Sequence, residues 1–224
     1  MHKRIATIIG STGMIGSHLL ELLLKDNYYD LVRILVRRPV DVNSERLEVM
    51  VVNFENPESV KLALDGSEVV FSSIGTTNKN VGGNKKLYWQ IDHDIPVSVC
   101  RLAFETGCKK FIFVSSLGAE AGSKNFYLKL KGQTEQDIIA TSMPEIHIMR
   151  PGMLLGDRKE KRPFEKLMQV VLKALSGFMV GHARQYRAIE GVDVAKAMIA
   201  TSKLNSEGVH IYSYNRLIQF AHAG

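Results

Sequence analysis

Tyr127 and Lys131 stand four residues apart in a run patterned as a helix, and Ser116 lies eleven residues ahead of the tyrosine. A helix puts positions i and i+4 on one face, so the phenol and the amine look the same way. A free tyrosine, with a pKa of about 10, is a poor base at neutral pH, and a nearby ammonium favours the phenolate. Tyr127 can then pass a proton to or from a substrate oxygen that the Ser116 hydroxyl holds, while Lys131 also bonds a nicotinamide ribose. The same spacing arises by chance on exposed helices, where Lys129 or Lys131 is simply solvated. Its weight comes from what precedes it.

What precedes it opens the chain. An apolar run from Ile5 to Ile9 leads into Gly10-Ser11-Thr12-Gly13-Met14-Ile15-Gly16, and helical spacing follows at Ile15, Leu19, Leu22 and Leu23. That is a strand, a tight glycine turn and a helix start. Glycines there let the chain turn sharply, let the backbone approach a pyrophosphate, and let helix and strand pack closely, with unpaired helix N–H groups facing the anion. Gly10, Ser11, Thr12, Gly13, Met14, Ile15 and Gly16 are therefore candidate cofactor-binding residues.

Further apolar runs lie at Leu31 to Val36, Leu47 to Val52, Val69 to Ile74, Phe111 to Ser115 and Glu145 to Arg150, with a late strand at Val209 to Tyr214. Helical patterns fall near Ile15 to Lys25, Pro57 to Leu64, His93 to Thr106 and Tyr127 to Ser142. This alternation predicts an α/β fold, a doubly wound parallel sheet of the Rossmann type covered on both faces. One NAD(P)-binding domain spanning 1–224 is expected, with a small C-terminal, substrate-side appendage drawn mainly from 151–224. Such sheets bind ligands at the carboxyl ends of their strands.

After the second strand stand Arg37 and Arg38, where NAD-binding proteins often carry an acid for the ribose 2′-hydroxyl. A guanidinium instead grips a 2′-phosphate, which predicts NADP(H) over NAD(H); two solvated arginines are the alternative. After the third strand Phe54 either flanks the adenine or belongs to the core. The fourth ends in Gly75-Thr76-Thr77, where glycine permits close approach of a cofactor. The loop from Asn78 to Lys86 is a substrate lid or a solvated loop, and Asp92 reads as a plain helix N-cap ahead of Pro96. The fifth strand delivers Ser115 and Ser116, and strand-end register leaves open which of them takes the catalytic place.

The 224 residues are 45% hydrophobic and 23% charged, with no apolar run near the ~20 residues of a membrane helix. Met1-His2-Lys3-Arg4 precedes an apolar run that breaks at Gly10 with no cleavage pattern, which argues against a secretion signal. The formal charge of +6 is not gathered into a helical stripe interleaved with aromatics, so phosphate-bearing ligands account for it better than nucleic acid. Two cysteines, Cys100 and Cys108, predict neither a disulfide framework nor a metal site, and no histidine–carboxylate set has ligand spacing. A cytoplasmic protein, monomer or homodimer, acting on a small carbonyl or alcohol, is the expectation.

Taken together, the glycine turn, Ser116, Tyr127 and Lys131 resemble the short-chain dehydrogenase/reductase superfamily. Gly75-Thr76-Thr77, Ser115 to Ala119, Asn125-Phe126-Tyr127, Lys131-Gly132 and the string from Arg150 to Arg158 resemble its atypical, Tat-interacting-protein-like members over nearly the whole chain. The resemblance implies an NADP-binding fold with Ser116, Tyr127 and Lys131 in the catalytic positions and with Pro151, Gly152 and Met153 lining the nicotinamide pocket. It supplies no substrate, and relatives are variously reductases, sugar-nucleotide epimerase relatives or cofactor-sensing regulators. Asp92 departs from the asparagine many extended-type relatives carry, which puts an asparagine-held relay water in doubt. Arg158 meets an anionic substrate group or is solvated, His182 and Tyr186 border the pocket or are structural, and Asp193 is expected to cap a helix.

Overall fold

The computed structural model describes residues 3–155 and 187–223. In chain order the strands are β1 (Ile5–Ile9), β2 (Leu31–Val36), β3 (Leu47–Val51), β4 (Ser67–Ser72), β5 (Lys110–Val114), β6 (Glu145–Met149), β7 (Leu154–Leu155), β8 (Ile189–Glu190) and β9 (Gly208–Tyr212). The helices are α1 (Met14–Lys25), α2 (Pro57–Leu64), α3 (Lys85–Trp89), α4 (Ile95–Glu105), α5 (Phe126–Ile139), α6 (Gly191–Ser202) and α7 (Tyr214–Ala221), with a π-turn, Gln90–Asp94, joining α3 to α4.

Seven strands pair in parallel in the order β3-β2-β1-β4-β5-β6-β9, while β7 and β8 form a separate parallel pair. The order reverses between β1 and β4, and the crevice at their carboxyl ends is where a doubly wound sheet takes its ligand. Alternate strand residues feed two cores. On one face α1 and α6 bury Leu19, Leu23, Val194 and Met198 against Ile8, Ile34 and Phe71. On the other, Val60, Leu64, Val99 and Ile138 close over Ile9, Leu35, Phe111 and Phe113. Each of these larger side chains contributes about 1.5–3 kcal/mol on burial. Within 151–224, α6 covers the sheet and β9 completes it, so these elements belong to the main layer structure.

Two sequence expectations are corrected. The helix expected to open at Asp92 opens at Lys85, because Asn84 accepts from the Leu87 amide and caps it. Pro96 cannot donate to the Asp92 carbonyl four residues back; the Thr134 hydroxyl, whose shorter bond goes to the Leu130 carbonyl at 2.8 Å, shares its proton with that carbonyl at 3.3 Å. Asp193 is not a cap either: Glu190 holds the cap position of α6, and Asp193 sits in the first turn, where the helix dipole favours an acid.

Between β6 and β9 the buried His147 ring meets the Tyr212 hydroxyl at 2.9 Å and Glu145 at 2.7 Å. Burial holds its pKa below the ordinary histidine range, although Glu145 pulls it up. A neutral ring therefore adds stability that is whole above the unfolded-state pKa and lost as pH falls through the folded one. In urea, His147→Gln is expected to be less stable than wild type at neutral pH and to decline less steeply below about pH 6.5. Parallel declines in the two proteins would take His147 out of the acid response.

Candidate active site

At the β1–α1 junction the glycines are a steric requirement. Gly10 has φ +84°, and a Cβ there would lie 2.6 Å from the Ile74 nitrogen; a Cβ on Gly16 would lie 2.0 Å from the Gly10 carbonyl oxygen. No side chain caps α1, and its first backbone bond runs from the Ser17 amide to the Gly13 carbonyl, so the amides of Met14, Ile15 and Gly16 have no helical partner. The Ser11 hydroxyl is buried without a partner among the described residues and faces the same crevice. Unpaired amides, an orphaned hydroxyl and a glycine cradle are what a pyrophosphate satisfies. The residues present therefore fit a dinucleotide.

From this turn a cavity of about 760 Å³ extends across the carboxyl ends of β1, β4 and β5. Its wall includes Ser11, Thr12, Gly13, Met14 and Ile15 on one side and Gly75, Thr76, Ser115, Tyr127 and Lys131 on the other. Gly10 and Gly16 support the turn from behind. Asn125 caps α5 through the Tyr127 and Leu128 amides, which sets Tyr127 at the mouth, 37% exposed, and Lys131 one turn deeper, 4% exposed. Of the loop 78–86, only Asn80 reaches the wall.

The two serines part. Ser115 lines the cavity, and its hydroxyl donates to Glu135, which also takes paired hydrogen bonds from Arg150. Ser116 lies outside the lining residues and donates to the Leu117 carbonyl at a long 3.3 Å. Pro151, Gly152 and Met153 also lie outside the lining set; the Pro151 carbonyl accepts from the Leu117 amide and the Met153 carbonyl from Ile189.

A second cleft, about 550 Å³, opens at the ends of β2 and β3 and brings Arg37 together with Asn53, Phe54, Gln90 and Ile95. Phe54 lines this cleft and is partly buried against the core. Arg38 is exposed and lines neither cavity. Gly156, Asp157, Arg158, His182 and Tyr186 lie outside the described residues.

The sequence reading missed the group that Lys131 contacts. Asp92, 1% exposed, does not cap a helix: one of its oxygens accepts from the Thr76 amide at 2.7 Å, and the other lies 3.2 Å from the Lys131 ammonium. Burial raises its pKa above the ordinary aspartate value, with Lys131 and the Thr76 amide working against that rise. Glu135 was missed as well, although it continues the series Tyr127, Lys131 at the same i+4 interval, the one local signal that pointed to it.

A sequence-family profile described as NAD(P)H-binding matches residues 10–202. Protein FMP52, mitochondrial, of Debaryomyces hansenii is 35% identical over 197 residues, covering 87% of this chain and 85% of its own. Protein HTATIP2 of Rattus norvegicus is 31% identical, covering 84% of this chain and 81% of its own. Among solved structures, UDP-glucose 4-epimerase of Thermotoga maritima with UDP-glucose superposes with a TM-score of 0.69 at 16% identity, covering 98% of this chain and 82% of that one. MoeE5 with UDP-glucuronic acid and NAD gives 0.70 at 16% identity, over 97% and 81%. At that identity they show the fold.

The expectation of a cytoplasmic protein is overturned: relatives from Debaryomyces, Eremothecium, Meyerozyma and Kluyveromyces are each named mitochondrial. Two buried free thiols carry no cellular address. No described helix is long and apolar enough to cross a membrane. The match across residues 10–202 and the relatives together place the chain in the NAD(P)H-binding family, among the atypical, Tat-interacting-protein-like members of the short-chain dehydrogenase/reductase superfamily.

Proposed function

We propose that the chain is an NADP(H)-dependent oxidoreductase that moves hydride between a nicotinamide and a small carbonyl or alcohol. The observation that carries this reading is the shared cavity, whose wall holds the unpaired amides of the glycine turn and, on the other side, Tyr127 and Lys131.

The dinucleotide, when bound, supplies or accepts the hydride. The chain does the rest. Ser11 and the amides opening α1 hold the pyrophosphate, and the cleft of Arg37 and Phe54 takes the adenosine end with its 2′-phosphate. Lys131 bonds the nicotinamide ribose. Tyr127, at the mouth, exchanges a proton with the substrate oxygen. Ser115 gives its own proton to Glu135, so towards the cavity it can only accept. Ser116 lies outside the lining residues, so it takes the oxygen-holding role only by turning its hydroxyl to the cavity, which its long bond to Leu117 makes easy.

Titration with NADPH and NADH in parallel, followed by a panel of carbonyl compounds with the preferred one, tests this. NADPH is expected to bind more tightly, and Arg37→Ala to weaken NADPH about tenfold or more while sparing NADH. Arg38→Ala, outside the cleft, is expected to cost less. Equal affinities in wild type would remove the NADP preference.

A second reading follows from the neighbours solved with UDP-sugars: a sugar-nucleotide epimerase with retained NAD. It predicts UDP-glucose interconversion without added cofactor. The arginine after β2 supports the first reading.

A further inference from the structure

We infer that Asp92 is a positioning residue that clamps the Lys131 ammonium to the Thr76 loop, and that its negative charge holds down the cavity's attraction for an anionic dinucleotide. Its two carboxylate oxygens are divided: one accepts from the Thr76 amide at 2.7 Å, the other faces Lys131 at 3.2 Å. Behind it the Thr134 hydroxyl, bonded to the Leu130 carbonyl at 2.8 Å, also reaches the Asp92 carbonyl at 3.3 Å. It sits on a π-turn, a distortion that recurs at functional sites. At 1% and 4% exposed, Asp92 and Lys131 screen each other more than water screens either.

The surrounding charges leave this pair to decide the potential of the inner wall. On α5, Glu135 is engaged by Arg150 one turn beyond Lys131, and Asp137 faces His93. His93 also meets Asp94, and neither of them lines this cavity. From β5 the Phe113 ring lies with its centroid 5.2 Å from the Lys131 ammonium. At the mouth stand Tyr127, and Lys85 over the Phe126 ring at 5.5 Å. The other acid in the wall, Glu21, belongs to the α1 side and pairs with Lys25. An ionised Asp92 therefore cancels the one buried cation among the described residues of that wall, and a neutral Asp92 would leave it bare for a phosphate or ribose.

The sign follows. Loss of the negative charge, by protonation or by substitution, strengthens dinucleotide binding. Because burial pushes the Asp92 carboxyl upward, protonation begins at a higher pH than for an exposed aspartate. Asp92→Asn keeps an oxygen for the Thr76 amide, removes the charge and puts an NH2 donor where Lys131 had an acceptor, so it releases the ammonium.

The inference rests on the dinucleotide reading of this cavity and is tested by binding, without turnover. NADH is the probe, titrated by calorimetry across pH and salt, since its reduced nicotinamide is uncharged where the oxidised ring is a cation that Asp92 would attract, and since the 2′-phosphate of NADPH itself titrates near a pKa of about 6. Asp92→Asn is expected to bind NADH about five- to tenfold more tightly at low ionic strength, with the gain shrinking as salt rises. Wild-type affinity is expected to climb towards the variant's as pH falls, needing no substitution to be seen. Equal or weaker binding by a variant that melts cooperatively overturns the inference, as do superimposable pH profiles. Absence of any dinucleotide binding by wild type overturns the proposed function along with it, whereas binding that ignores Asp92 overturns the inference alone.

Discussion

Replacing Tyr127 by phenylalanine is expected to lower kcat about 10²- to 10⁴-fold on any carbonyl the wild type turns over, with dinucleotide affinity nearly unchanged. The substitution deletes one oxygen and keeps the ring. Tyr127 is 37% exposed at the cavity mouth and its amide is held by Asn125, so neither the helix start nor the core depends on the hydroxyl. Thermal melting should therefore match wild type within the spread of ordinary surface substitutions. What goes is the only phenol in the cavity wall among the described residues, and with it the proton for the substrate oxygen. Lys131 cannot stand in for it, because its ammonium is turned to Asp92. Steady-state kinetics with NADPH and calorimetry on the same preparations separate the two quantities. A kcat that survives in Tyr127→Phe would remove the acid–base role, and a parallel collapse of dinucleotide affinity would recast Tyr127 as a binding residue.

Gly16→Ala should show the second large effect, on folding and binding together. The added methyl would lie 2.0 Å from the Gly10 carbonyl oxygen and 2.7 Å from the Ser73 hydroxyl. The hydroxyl can swing away; the carbonyl cannot, because it accepts from the Gly13 amide at 3.0 Å and belongs to the turn itself. Either α1 moves off the sheet or the turn reshapes, and both displace the amides that face the crevice. Overpacking of this kind costs about 1–3 kcal/mol and more where backbone must move. Chemical denaturation should show a loss at the upper end of that range, and NADPH titration a drop of tenfold or more. Gly122→Ala, where an added Cβ has nothing nearer than a Glu120 carboxylate oxygen at 4.0 Å, is the matched control. A Gly16→Ala protein with wild-type stability and affinity would show that the close helix–strand approach is not needed.

Much of the scaffold was legible because its causes are local. Alternation of apolar runs and helical spacing located β1, β2, α1 and α2 within a residue, and the glycine turn announced a junction that tolerates no side chain. The interval between Tyr127 and Lys131 was enough to put both on one face of α5 and so into one wall. Failures cluster where distant elements meet. Asp92 looked like a cap when read against its neighbours in the chain; its partners Thr76 and Lys131 come from other segments. The choice between Ser115 and Ser116 hung on strand register, since one residue's shift turns a side chain to the other face. Just past the end of β2, Arg37 reaches the second cleft and Arg38 does not. No cellular address was legible in these patterns, and it is relatives named mitochondrial that overturn the cytoplasmic expectation.

The order of residues alone thus determined the fold class, the glycine turn and the shared face of phenol and amine, since hydrophobic periodicity and backbone sterics act over a few residues. Tertiary packing decided which carboxylate holds Lys131, which serine faces the cavity and which arginine reaches a cleft. Those depend on the register in which separate helices and strands come to rest, a quantity set by the whole core and written in no single stretch of chain.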